Sequence, residues 1–206
     1  MSNRLKTFLL AIGAGMAIGM GSIVYLTMEN KVIGALLFTV GLYTIVLNGL
    51  ALFTGKVGYV VCQDCKTDYC SELCIIWTGN LVGTGICAAL ISFSRVSSLR
   101  EVAIKVSEVK LSDNLLSIFI LAIFCGILMY VAVEGFKQKG QPLILFLCVS
   151  TFILCGFEHC VANMFYFILA GEFTLKALLY LLVMTAGNSI GGMLIPLIKL
   201  ERIKQS

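Results

Sequence analysis

The stretch Gly-Phe-Glu-His-Cys-Val-Ala-Asn-Met, residues 156–164, holds the single histidine of the 206-residue chain. It lies inside a long apolar run from about Leu143 to about Leu169. An ionised side chain at membrane depth costs roughly 2.5 to 3.5 kcal/mol on insertion scales, so a sequence retains one there for a pathway, a site or a structural network. The glycine that opens the stretch predicts a helix break, and irregular backbone within a membrane is tolerated where it lines a cavity or is buried in protein. The stretch therefore predicts the middle of a pore or binding site.

The composition indicates an integral membrane protein. The chain is 59% hydrophobic and 13% charged, and its mean hydropathy is +1.00, which is outside the range of soluble domains of this size. We expect one transmembrane domain over residues 1–206. The net charge of +4 is small, and no basic run interleaved with aromatic residues predicts binding to nucleic acid. The apolar N-terminal run differs from a signal peptide because it is long and leads into a second apolar run.

Six apolar stretches are long enough to cross a bilayer, which takes about 20 helical residues. They run approximately over Thr7–Met28, Val32–Tyr59, Leu73–Phe93, Leu115–Val133, Leu143–Leu169 and Leu175–Leu197. The second and the fifth are longer than one crossing requires, and each has polar or small residues near its middle. We predict that each of these two consists of two half-helices joined by an unwound link.

An internal repeat relates the two halves of the chain, residues 1–110 and 111–206. The pattern Gly-Asn-x-x-Gly at residues 79–83 recurs at residues 187–191, an offset of 108, and Thr54 and His159 are 105 residues apart. Halves of three spans each must be inverted relative to one another, and in such folds broken helices from both halves meet at the midplane and form the site. The predicted fold class is all-α, with two inverted three-helix repeats.

The basic residues favour an orientation with both termini in the cytoplasm. In that orientation nine basic residues are inside: Arg4, Lys6, Lys56, Lys66, Lys137, Lys139, Lys199, Arg202 and Lys204. Six are outside: Lys31, Arg95, Arg100, Lys105, Lys110 and Lys176. Most of the outer charge falls in the predicted loop between Arg95 and Lys110. Either the orientation rule is diluted there or these cations form a vestibule that gathers anions.

These sequence features resemble the formate/nitrite transporter family, which includes formate, nitrite and hydrosulfide channels. The most specific matches are residues 156–164, the Leu-Phe-Thr-Gly of residues 52–55 and the two Gly-Asn-x-x-Gly patterns, and residues 14–21 resemble the glycine-rich first span of the family. The resemblance covers nearly the whole chain. It implies an aquaporin-like protomer with six transmembrane helices, the second and fifth broken, that assembles as a homopentamer in the lipid bilayer. It also implies a bacterial inner-membrane location, a pore for small anions in each protomer, no cofactor and no enzymatic activity.

The resemblance assigns roles to individual residues. Four polar residues match pore residues of the family: His159, Thr54, Asn188 and Lys110. Two apolar residues match its constrictions: Leu52 and Phe152. The chain departs from the family pattern at three positions: Gly126 replaces a common asparagine, Glu134 a common aromatic residue, and Ala51 an acid found in some formate channels. The first departure removes an amide near the pore and bears on substrate preference.

His159 is the residue in this region that can change charge near neutral pH without a large perturbation. Our hypothesis is that an anion enters past Lys110 and reaches an apolar collar, where an unpaired charge is costly. It takes a proton there, from His159 or from water, and crosses as the neutral acid. The alternative is a neutral, structural histidine bonded to Thr54 or to a backbone carbonyl.

The other polar candidates also have structural interpretations. Glu158 is expected to bond backbone amides at the helix break, and Asn163 and Asn188 are expected to bond the carbonyl groups that the breaks leave free. For Lys110 the alternative is a solvated loop charge just before the N-cap of the fourth span.

Four cysteines lie between the second and third spans with the spacing C-x2-C-x4-C-x3-C: Cys62, Cys65, Cys70 and Cys74. This spacing is compatible with zinc or an iron–sulfur cluster, but no histidine is near, and we expect free thiols and no metal. A thiol–disulfide oxidoreductase that uses Cys62 and Cys65 is the alternative function of a different class.

Formate and nitrite are the favoured substrates, followed by hydrosulfide or a short-chain carboxylate such as lactate. An aquaporin-type channel for neutral solutes would require Asn-Pro-Ala pairs, which the sequence lacks. Because little sequence precedes Lys6, we expect little gating by an N-terminal helix.

Overall fold

Helices form most of the protein in the computed structural model, which describes the backbone of residues 2–205 and the side chains of residues 2–200. In chain order they are α1 Asn3–Thr27, α2 Lys31–Asn48, α3 Phe53–Lys56, a 3₁₀ helix Val57–Cys62, α4 Lys66–Ser92, α5 Leu99–Ser112, α6 Leu115–Lys139, α7 Leu143–Leu154, α8 Cys160–Ala170 and α9 Leu175–Gln205. Within the described residues, five helices are long and apolar enough to cross a membrane: α1, α2, α4, α6 and α9. The apolar helices α7 and α8 are shorter.

Both long apolar stretches are interrupted, as their length predicted. Gly49 ends α2 with a φ of 61°, and Gly156 follows α7 with a φ of 68°. Only glycine adopts such left-handed angles without a steric cost, so the two glycines define where the chain leaves the helix. The segments 49–52 and 155–159 are the links to α3 and α8.

The closest helix contacts are α1 against α4 and α6 against α9. Small residues make these contacts possible. A Cβ on Gly83 of α4 would lie 2.1 Å from the carbonyl oxygen of Ile12 in α1, and a Cβ on Gly191 of α9 would lie 2.0 Å from that of Ile123 in α6. Such distances exclude any larger residue at Gly83 and Gly191. The backbones therefore touch at equivalent glycines in the two halves of the chain.

Two further contacts determine how α9 packs against α6 and α4. Gly126 in α6 packs on α9, since a Cβ there would lie 2.3 Å from the carbonyl oxygen of Asn188. The space that the common asparagine would need is therefore occupied by the neighbouring backbone. Across the molecule, the indole nitrogen of Trp77 in α4 donates to the hydroxyl of Thr185 in α9 at 3.0 Å, and these residues are 108 positions apart.

The segment between Arg95 and Lys110 is mostly helical, and its prediction as a loop is wrong. Helix α5 buries Leu99, Ala103 and Ser107 on one face and packs against α8. A four-residue spacing of small or apolar residues is the pattern of a helix with one covered face. The charged residues on the other faces concealed this pattern in a sequence dominated by uniformly apolar helices.

The remaining boundaries differ from the predictions at the polar ends of helices. Helix α4 begins at Lys66 rather than at about Leu73, α6 continues to Lys139, and α9 continues beyond Leu197. Polar turns extend these helices past their apolar cores. Arg202 and Lys204, which contribute to the orientation prediction, lie outside the described side chains.

Candidate functional site

His159 joins the two interrupted segments. It is the N-cap of α8, and its Nδ1 atom accepts the backbone N–H of Ala162 at 3.1 Å. Its Nε2 atom lies 2.8 Å from the hydroxyl of Thr54, in the first turn of α3. Both side chains are almost fully buried, with 2% of His159 and 1% of Thr54 exposed. The structure thus brings together the two polar residues that the sequence singled out for the pore centre.

The two bonds define the protonation state of the ring. Because Nδ1 accepts a backbone N–H, it carries no proton, and the neutral ring holds its single proton on Nε2. That proton is donated to the Thr54 oxygen. To gain a second proton, the ring must give up the bond that caps α8.

The two predicted constriction residues are buried beside this pair. Leu52 is the N-cap residue of α3 and is 1% exposed. Phe152 lies in the last turn of α7, with its ring stacked on the His159 ring at a centroid distance of 5.6 Å. Phe152 therefore covers one face of the histidine ring, while the hydrogen bonds of the ring lie in its plane.

A cavity of about 120 Å³, here called the Lys110 cavity, opens beside His159. Its walls include Lys110, Phe152, His159 and Asn163. Lys110, the predicted vestibule lysine, reaches this cavity from the last turn of α5. This is the helix that was predicted as a loop.

Lys110 is part of an ion pair in the wall of this cavity. Its ammonium lies 2.7 Å from a carboxylate oxygen of Glu158, and the same oxygen accepts an N–H of Asn163 at 2.7 Å. The predicted bonds from the Glu158 carboxylate to backbone amides are replaced by these side-chain contacts. A buried carboxylate needs a cation or strong donors, and Lys110 is the cation that α5 brings within reach.

The side chains of Asn80 and Asn188 form equivalent hydrogen bonds at the two links between half-helices. The Asn188 side chain accepts the N–H of Cys160 and donates to the carbonyls of Ala122 and Glu158, at 2.8–2.9 Å. The Asn80 side chain accepts the N–H of Phe53 and donates to the carbonyls of Ala11 and Ala51, also at 2.8–2.9 Å. All of these partners are backbone groups. The contact of Asn188 with substrate stays a prediction.

A second cavity has a volume of about 90 Å³. We call it the Lys137 cavity. Its walls include Leu52, Gly55, Lys56 and Lys137. Lys56 and Lys137 could not be recognised as site residues in the sequence, because they lie in different segments and each is a basic residue in the last turn of a helix. A larger cavity of about 570 Å³ lies between α4, α9 and the 3₁₀ helix, and its walls include none of the predicted pore residues.

The four clustered cysteines are exposed free thiols. Cys65 is the N-cap residue of α4, and its thiol donates to the carboxylate of Asp68 at 3.0 Å. Among residues 2–200, no group of three histidine, cysteine or acidic residues is arranged to hold a metal ion.

Comparison with known proteins identifies relatives of the chain. The formate channel FocA of Haemophilus influenzae is 28% identical over 77% of this chain and 64% of its own length, and that of Escherichia coli K12 is 29% identical over 78% and 65%. The nitrite transporter NirC of Salmonella typhimurium is 29% identical over 87% of this chain and 76% of its own length. The chain thus spans slightly less than two thirds of the two formate channels.

Solved structures and a family profile agree with these relatives. A pentameric formate channel with formate bound superimposes with a TM-score of 0.85 and 25% identity, over 98% of both chains. The profile of the formate/nitrite transporter family matches residues 2–199. The resemblance seen in the sequence is therefore confirmed, and the chain belongs to the formate/nitrite transporter family.

Proposed function

We propose that the protein is a membrane channel for the anions of small weak acids, with formate or nitrite as substrate. The observation that carries this proposal is the buried Thr54–His159 hydrogen bond between two lysine-lined cavities. His159 lines the Lys110 cavity, while Leu52 and Gly55, the neighbours of Thr54, line the Lys137 cavity. The names of the formate channels and nitrite transporters among the relatives favour these substrates over hydrosulfide or lactate.

The path runs from one cavity to the other past Phe152, His159, Thr54 and Leu52. The anion is attracted by a lysine at the mouth and then meets buried apolar walls, where an unpaired charge is strongly disfavoured. Two groups can stabilise the substrate beside these walls. The neutral His159 ring and the Thr54 hydroxyl can donate hydrogen bonds, and a protonated ring can transfer a proton to the substrate.

Proton transfer is coupled to the cap of α8. The neutral ring has its proton on Nε2 and is a poor acid. It must therefore take a second proton, on Nδ1, before it can transfer a proton to the substrate. The Ala162 N–H occupies Nδ1 and has to be released at that step. We propose that His159 takes a proton from the solvent and becomes an uncapped charged ring. It then gives one proton to the substrate anion, which leaves as the neutral acid, and the ring returns to its capped neutral form.

The proposal includes an architecture of six crossings in two inverted repeats, five protomers with one pore each, and cytoplasmic termini. The equivalent contacts of Asn80 and Asn188 support the repeat, and the pentameric formate channel of the same family supports the assembly. Five long apolar helices, together with the interrupted pair α7–α8, supply the crossings.

The test is uptake of formate and nitrite by proteoliposomes that contain the full chain, measured across pH with His159→Asn and His159→Ala. Asparagine is a good N-cap residue and can keep the bond to Ala162, but it cannot titrate. We expect wild-type uptake to rise as pH falls, His159→Asn to lose this dependence with a smaller drop in melting temperature than His159→Ala, and His159→Ala to lose both the dependence and the cap of α8. Unchanged pH dependence in His159→Asn would refute the proton step, and absence of uptake by the wild type would refute the channel.

A further inference from the structure

We propose that the Lys137 cavity is a second binding site for a small monovalent anion, formed by Lys137 and Lys56, in which Tyr59 and Glu134 are positioning residues. The proposal rests on the channel function proposed above and deepens it. It names the residues that receive the anion at the end of the pore opposite Lys110.

Tyr59 holds the ammonium group of Lys137 in place. The ammonium donates to the Tyr59 hydroxyl at 2.8 Å and lies 4.3 Å from the centre of the Tyr59 ring. A lysine ammonium has three N–H donors, and the phenol takes one of them. Two donors and a full positive charge remain for a ligand in the cavity that Lys137 lines.

Glu134 fixes Tyr59 without pairing directly with Lys137. One carboxylate oxygen accepts the Tyr59 hydroxyl at 2.6 Å, and the other accepts the side-chain N–H of Gln138 at 2.7 Å. Within residues 2–200, the ion pair closer than 4 Å is Lys110–Glu158, so the Lys137 ammonium has no carboxylate in direct contact. The hydrogen-bonded chain from Lys137 through Tyr59 to Glu134 orients the lysine and leaves its charge available.

The charge in the cavity favours an anion as ligand. Lys56 and Lys137 line one space of about 90 Å³, whose other walls include Leu50, Leu52 and Val133. Two ammonium groups that face one space with apolar walls repel each other, and an anion between them relieves the repulsion. An anion of three non-hydrogen atoms, such as formate or nitrite, fits a space of this size. At the opposite mouth, Lys110 is already neutralised by Glu158 at 2.7 Å.

The experiment measures formate and nitrite concentration dependence in proteoliposomes and, separately, the rise in melting temperature that each anion gives the detergent-solubilised protein. The variants are Lys137→Met, Glu134→Gln and the control Lys139→Met, which removes an exposed lysine of the same helix end that is not a wall residue of the cavity. We expect Lys137→Met to raise the half-saturating concentration about 3- to 10-fold, the loss of one charge-assisted contact. Lys139→Met should leave it unchanged.

Glu134→Gln separates positioning from a structural role. Glutamine can still accept the Tyr59 hydroxyl, while one negative charge near the cavity is removed. We expect the half-saturating concentration to fall about two- to threefold, because a neighbouring negative charge no longer opposes the anion. A further variant, Glu134→Leu, cannot accept the Tyr59 hydroxyl and should instead raise the half-saturating concentration, and equal effects of leucine and glutamine would overturn the positioning role.

Failure of this site is distinguishable from failure of the channel function. If the wild type transports neither anion but is stabilised by formate or nitrite, and Lys137→Met removes that stabilisation, the site stands and the channel function fails. If Lys137→Met behaves as Lys139→Met does in both flux and melting, the site is overturned whether or not the wild type transports.

Discussion

Thr54 contributes one hydroxyl group to the centre of the molecule, and that hydroxyl accepts the His159 proton. Replacing Thr54 by valine keeps the shape of the side chain and leaves the Nε2 proton without an acceptor. A buried donor left unpaired costs about 1–3 kcal/mol. We expect Thr54→Val to lower formate or nitrite uptake on the order of tenfold and to reduce the melting temperature. Thr54→Ser, which keeps the hydroxyl, is the matched control, and equal losses in both variants would show that the hydrogen bond is not the cause.

Individual site residues can be predicted from the sequence more readily than the contacts that they make with one another. His159 is identifiable because a single ionisable ring in an apolar run is costly and therefore functional or structural. The pairing of Lys110 with Glu158 is not identifiable, because 48 residues separate them and no helical or strand spacing relates the two. The same holds for Lys137 and Tyr59, which are 78 residues apart and meet only in the folded chain.

The two unwound links depend on single asparagine side chains. Asn80 and Asn188 are fully buried, and each bonds one N–H and one C=O group at its link, together with one carbonyl of a neighbouring continuous helix. Leucine has a similar size but no polar atoms, so Asn80→Leu or Asn188→Leu leaves the two buried groups at the link unpaired. We expect each variant to lose about 2 kcal/mol or more of stability.

The measurement is thermal unfolding in detergent, with Ser189→Ala as the control. The hydroxyl of Ser189, on the same helix as Asn188, bonds only to the carbonyl of Thr185 one turn earlier. Its loss should lower stability by less than about 1 kcal/mol. A comparable drop in Ser189→Ala and Asn188→Leu would mean that the link does not depend on the amide.

Helices could be predicted from the sequence where they coincide with long apolar stretches. The two interrupted helices follow from stretches too long for one crossing and from Gly49 and Gly156 near their middles. Helix α5 could not be recognised by apolarity, because its mean composition is polar. Its covered face at Leu99, Ala103 and Ser107 was present in the sequence as a four-residue spacing, and that spacing is the signal that would have found it.

The assembly is the prediction for the whole molecule. Many large apolar side chains are exposed on the single chain, including Leu36, Leu37 and Val40 of α2. Lipid and neighbouring protomers can both cover such a surface. We expect the detergent-solubilised protein to have a protein mass five times the 22.4 kDa of one chain, measured by light scattering with correction for detergent. A monomeric mass under mild detergent conditions would contradict the pentamer.

The sequence and the backbone contacts pair the two halves of the proposed repeat differently. The offset of 105 aligned Thr54 with His159. The backbone contacts align Phe53 with Cys160, since each N–H is accepted by the asparagine of its own half. Leu52 is therefore the counterpart of His159, and both are N-cap residues. A short deletion or insertion between the halves shifts the offset along the chain, which a single pair of motifs does not reveal.

Trp77 and Thr185 stand at the same 108-residue offset as the Gly-Asn-x-x-Gly patterns, and the indole nitrogen of one donates to the hydroxyl of the other. In a dimer of identical subunits, a residue on the two-fold axis meets its own copy. Two copies of tryptophan could not bond to each other there, because an indole only donates. A single chain that carries both positions can place a donor at one and an acceptor at the other, an asymmetry closed to a homodimer.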